Sequence, residues 1–112
     1  MTRVKVEPGV CGLTTVVTAD SEDQMEVRLK ISSACEAVRK MGDELGDAFD
    51  AFELCLCRPG CGPLYDYARD HFPGHAACPA LAGILKCVEA ECGLALKRDA
   101  AITFLPAEEG DA

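Results

Sequence analysis

The sequence predicts an α+β domain in two layers, a small three- or four-stranded sheet with helices packed on one face. Three observations carry that expectation. The first third of the chain alternates apolar and polar residues with the period of two that marks half-buried strands. The middle of the chain and the stretch after it shift to helical spacing, and several of these stretches open on a helix-start signal. A β-branched and aromatic segment near the end, AITFL at 101–105, supplies a further strand. Strands first, helices next and a closing strand make the order of an α+β fold.

Taken in order, residues 3–7 set Val4 and Val6 against Arg3 and Lys5 and read as a first strand. LTTVVTA, 13–19, is β-branched and reads as a second. MEVRLKI, 25–31, puts Met25, Val27, Leu29 and Ile31 on one side and Glu26, Arg28 and Lys30 on the other, joined to its predecessor by the polar connector DSEDQ. In SACE, Ser33 and Glu36 stand at capping-box spacing, in which the hydroxyl takes one free amide and the carboxylate another, so a helix is expected from Ser33. Its stripe is Ala34, Val38, Met41 and Leu45, and Gly46 is its stop. Residues 47–54 read as a short helix with Phe49 and Phe52 inward. GPLYDYARDHF begins another, with Pro63 in the first turn and an end before Pro73. The last helix is expected over about 79–93, with Cys78 at its cap. Residues 1–106 form one domain in this reading, and the acidic tail 107–112 is disordered.

A chain of 112 residues buries about two thirds of its unfolded surface without covalent staples. Its eight cysteines are therefore not needed to hold it together, and the compartment decides what they are for. MTRVKVEPGV lacks the apolar core of a secretory signal, and no stretch approaches the ~20 apolar residues that span a bilayer. The expectation is a soluble, cytoplasmic protein with reduced thiols. A net charge of -8 speaks against nucleic acid and anionic membrane as partners, and leaves a protein partner and the oligomeric state open.

The thiols sort by local geometry. At about 100° per residue, Leu81, Ile84, Leu85, Val88 and Cys92 share one stripe, so Cys92 is a small buried hydrophobe. Cys87 lies about 140° round the helix from it, off the stripe, and the two cannot chelate one ion or bond to each other. Cys78 at a helix start, Cys35 in the first turn of its helix and Cys11 in the turn EPGVCGL all stand where backbone amides stabilise a thiolate or a metal-bound sulfur. The strand-to-helix junction, a strand-to-strand turn and a second helix start can meet at one end of a two-layer sheet, with His75 as a nitrogen ligand. The alternative is that each cysteine packs separately at a chain reversal and that His75 is a surface group. CLCRPGCG, 55–62, forms a second cluster: Cys55 and Cys57 point the same way if extended, and the Arg-Pro-Gly turn folds Cys61 back toward Cys57. Three thiolates in seven residues can hold zinc or one face of an iron-sulfur cluster, and a reduced pair closed by the turn can oxidise. The spacing matches neither a zinc knuckle nor a ferredoxin run and no fourth ligand is evident, which favours a loop with exposed or redox-sensitive thiols over a dedicated metal site.

PGVCG at 8–12, SAC at 33–35, HAACPA at 75–80 and GLALKRD at 93–99 resemble the PGxCG, SxC and HAACPxP motifs, and the GLAL segment followed by an acidic residue, of a small uncharacterised prokaryotic family, a domain of unknown function. That resemblance implies no established activity, and it points to Cys11, Cys35, His75 and Cys78. HAACPAL also resembles the Cys-Pro-x-Pro helix start of small sulfur carriers, whose cysteine holds a persulfide, with Leu81 in place of the second proline.

Three functions follow. The first is a thiolate metal-binding protein, holding an iron-sulfur cluster or zinc through Cys11, Cys35 and Cys78 with His75 or an external group. The second is a sulfur carrier or redox protein with Cys78 as nucleophile and Cys35 or Cys11 as resolving group. The third is an acidic module that binds a basic partner through Asp43, Glu44, Asp47 and Asp50. Whether the protein is an enzyme stays open. The sequence has no phosphate-binding glycine loop, no H-E-x-x-H and no nucleophile elbow, and of its two histidines His71 reads as a favourable charge near a helix C-terminus.

Overall fold

In a computed structural model that describes residues 1–108 and 110, the chain forms an α+β fold. Strands β1 (Thr2–Val6), β2 (Thr15–Asp20) and β3 (Glu26–Ser33) are followed by helix α1 (Glu36–Leu45), strand β4 (Ala48–Asp50) and helices α2 (Ala51–Cys55), α3 (Pro63–His71) and α4 (Ala80–Glu91). The four strands pair antiparallel in the order β1-β2-β3-β4, so each lies beside its neighbour in sequence.

Register assigns the two faces. Val4, Val17 and Ile31 stand in one row, with Thr2, Ala19 and Leu29 in the next. These rows and Val27 face the helices, and Val17, Ala19 and Val27 are fully buried. The opposite face carries Arg3, Lys5, Arg28 and Lys30, all exposed, with Val16 and Thr18 between them. The core is closed by Val38 and Met41 of α1, Leu54 of α2, Leu64 of α3 and Leu81, Ile84 and Val88 of α4.

Helix α4 lies over β1 and β2, and Gly83 explains how closely: a Cβ built there collides with the Val6 Cγ2 methyl. The far end of α4 is tied down by Glu91, whose carboxylate accepts from Thr2 Oγ1 at 2.7 Å and from the Ser21 N–H at 3.0 Å. The start of α4 therefore lies beyond Val6 and its end beside Thr2. The first strand and the last helix run antiparallel.

Four local expectations need correction. Residues 101–105 join no strand and are exposed throughout, Phe104 almost completely; the fourth strand is β4, whose Val27↔Phe49 pairing and Ala51 N–H to Met25 carbonyl bond fix its place. Helix α1 starts at Glu36, not Ser33. Ser33 still pairs with Thr15, their hydroxyls 2.7 Å apart, and the Ala34 N–H donates to the Thr14 carbonyl, so the ladder keeps the chain extended two residues longer. Pro79, not Cys78, caps α4. Phe52 is exposed on α2 while Phe49 is half-buried on β4. The expected tail at 107–112 falls partly on residues 109, 111 and 112, which lie outside the described residues.

Candidate functional site

The junction that carries the shared thiols is set by the ladder. Val6 pairs with Thr15 and Thr15 with Ser33, so the β1–β2 loop that holds Cys11 and the β3–α1 link that holds Cys35 leave the sheet at the same end. Gly83 against Val6 puts the start of α4 at that end as well, and Cys78 lies two residues before the helix begins. Three cysteines far apart in sequence thus occupy one end of the fold on three separate elements.

Their local settings differ. Cys11 is exposed in a turn closed by the Gly12 N–H on the Gly9 carbonyl at 2.9 Å, and both glycines have positive φ. Cys35 is half-buried as the N-cap residue of α1; its own N–H is taken by Ser33 Oγ at 3.0 Å. Cys78 is half-buried against the core, its N–H on the His75 carbonyl at 3.4 Å. His75 is exposed. Among the described residues, no three His, Cys, Asp or Glu side chains are grouped so as to hold a metal ion.

The second cluster is divided by structure. The expectation that Cys55 and Cys57 point the same way presumed an extended chain, but Cys55 ends helix α2 and turns toward α4, with its Sγ 3.9 Å from the Leu85 carbonyl. Burial, reinforced by the negative charge of Glu89, pushes its thiol up to about 12. Cys57 instead folds back under its own loop, donating to the Cys61 carbonyl at 3.2 Å and the Leu54 carbonyl at 3.6 Å. Cys61 is exposed.

Cys87 and Cys92 are both packing groups, 0% and 4% exposed, and burial raises the pKa of each. The Cys87 thiol donates to the Thr2 carbonyl at 3.2 Å. Three acids of the run make contacts within the chain: Asp50 caps α2 through the Phe52 and Glu53 amides, Asp47 pairs with Arg28, and Glu44 bonds to the Tyr67 hydroxyl, which pushes that phenol up to about 12. His71 stacks on Tyr67, and its Nδ1 lies 3.0 Å from the Tyr67 carbonyl at the end of α3.

Glu91 is the group that sequence reasoning passed over. Burial works to raise its pKa, but bonds from Thr2 and Ser21 and the nearby Met1 ammonium outweigh it and hold the carboxyl below its ordinary value. The last of two acids at the end of an apolar helix was the available signal.

The fold defines an α+β meander domain in which the segments that carry Cys11, Cys35 and Cys78 leave the sheet at the same end. Residues 2–104 match a family of unknown function (DUF6951), and the chain belongs to that family. No curated protein and no solved structure matches it. Among the described residues no helix is long and apolar enough to cross a membrane.

Proposed function

We propose that the protein is a thiolate metal-binding protein whose ligands are Cys11, Cys35 and Cys78, with His75 or an external donor completing the shell. The observation that carries this reading is the convergence of the three cysteines at one end of the sheet, from a loop, a strand-to-helix link and the approach to α4. Sulfur donors with one imidazole suit zinc or an iron-sulfur centre and disfavour hard cations. Because these side chains are not grouped at ligand distance, binding draws in the Gly9–Gly12 turn and the irregular stretch before α4. The thiols work reduced, which fits a cytoplasmic setting. In this reading PGVCG, SAC and HAACPA are the shared signature of a prokaryotic family.

The test is anaerobic purification followed by elemental analysis and absorption spectra. Stoichiometric zinc or iron is expected, lost at least tenfold in Cys11→Ser, Cys35→Ser or Cys78→Ser and retained in Cys61→Ser. Reduced protein that takes up neither metal, or metal retained after all three replacements, overturns the reading. The ungrouped thiols favour a second reading in which Cys78 acts alone as a sulfur carrier. That reading expects a persulfide on Cys78 after exposure to a sulfur donor in chelator, and slow labelling of Cys78, no faster than that of the other thiols, removes it.

A further inference from the structure

The loop between α2 and α3 is built around a sulfur atom. Residues 58–61 form a tight turn, with the Cys61 N–H on the Arg58 carbonyl at 3.0 Å. Pro59 stands at its second position and Gly60 at its third with φ +85°, the arrangement of a type II turn. The turn brings the backbone of Cys61 back over Cys57, whose thiol lies 3.2 Å from the Cys61 carbonyl. Gly62 completes the enclosure: its φ is +97°, and a Cβ there would stand 2.9 Å from Cys57 Sγ. Both cysteines are exposed, while Cys55, two residues before, faces α4 and is held protonated.

We propose that Cys57 and Cys61 are a reversible dithiol–disulfide pair that a low-molecular-weight disulfide oxidises. The Cys61 thiolate attacks one sulfur of the small disulfide, forms a mixed disulfide and releases one thiolate, which takes a proton from water. The Cys57 thiolate then attacks the Cys61 sulfur, closes the intramolecular bond and releases the second thiolate, protonated in turn. The pair loses two electrons and two protons, and one small disulfide becomes two small thiols. The turn already brings the Cys61 backbone to Cys57, and closure takes Cys57 Sγ off the Leu54 and Cys61 carbonyls. The ring spans only three intervening residues, so it adds little loop-closure entropy and is readily reduced again. Oxidation thereby reports to the joint between α2 and the cap of α3 at Gly62.

The test incubates full-length reduced protein with glutathione disulfide across a range of thiol-to-disulfide ratios, with chelator present so that metal binding at the other thiols plays no part. Acid quenching, alkylation and peptide mass mapping follow. A 57–61 disulfide is expected as the first to form and to vanish on reduction. It should be absent in Cys61→Ser, unaffected in Cys11→Ser, and slowed at least tenfold in the turn variant Gly60→Val. Persistent mixed disulfides on Cys57 or Cys61 without ring closure overturn the proposal, as does a first disulfide that joins other cysteines. Because the wild-type map alone decides between these outcomes, misfolding of a variant leaves the test intact.

Discussion

At the scale of single residues, burial separates thiols that composition lumps together. Cys87 and Cys92 are enclosed by the core, and Cys55 is pushed up to about 12, whereas Cys11, Cys57 and Cys61 are exposed. Brief iodoacetamide treatment of the native reduced protein near neutral pH should therefore modify the exposed three first and reach Cys87 and Cys92 only after denaturant is added; mass mapping of early time points checks this. Glu91 sets an acid limit. Its folded pKa is lowered, so its stabilisation is complete above the ordinary carboxyl value of about 4.3 and is lost as pH falls through the lower folded value. Glu91→Gln should cost about 1–3 kcal/mol at pH 7 and flatten the acid limb of stability measured by urea unfolding. The burial of Cys92 was legible because it continues an apolar stripe. That of Cys87 was not, since α4 is covered by the sheet on one side and by α2 on another, and a single stripe describes only one covering.

At the scale of elements, the close approach of α4 to β1 makes Gly83 the most size-restricted of the glycines. Alanine gains up to about 1 kcal/mol of helix propensity there, but overpacking against the stiff Val6 side chain costs about 1–3 kcal/mol. Gly83→Ala should lower stability, and adding Val6→Ala should recover part of the loss, a coupling read from chemical unfolding of the double-mutant cycle. The first three strands, and α1, α3 and α4 to within a few residues, were legible from periodicity and from the glycines and prolines at their ends. Strand β4 was not: three residues are too few to show alternation, and their pairing depends on Met25, Val27 and Leu29 in or next to an earlier strand, beyond the whole of α1. Residues 101–105 misled for the opposite reason. They have strand composition but meet no partner edge. That the segments of Cys11, Cys35 and Cys78 leave the sheet at one end could be anticipated from turn positions, but the spacing between their side chains depends on loop conformations that carry no periodic signal.

At the scale of the whole molecule, the radius of gyration is 14.9 Å, against about 13 Å for a compact chain of this length. The longest dimension reaches 52 Å, and the segment after Leu94 joins no element and leaves Leu96, Ile102, Phe104 and Leu105 exposed. Ending the chain after Leu94 should bring the scattering radius close to the compact value and shift the melting temperature by no more than a few degrees, as small-angle scattering and calorimetry can establish. The antiparallel contact of first strand and last helix has a consequence for synthesis. While the ribosome still holds residues 80–91, the apolar underside of the newly made sheet lacks its cover, so the domain consolidates late and stays exposed to chaperones until almost all of it has emerged.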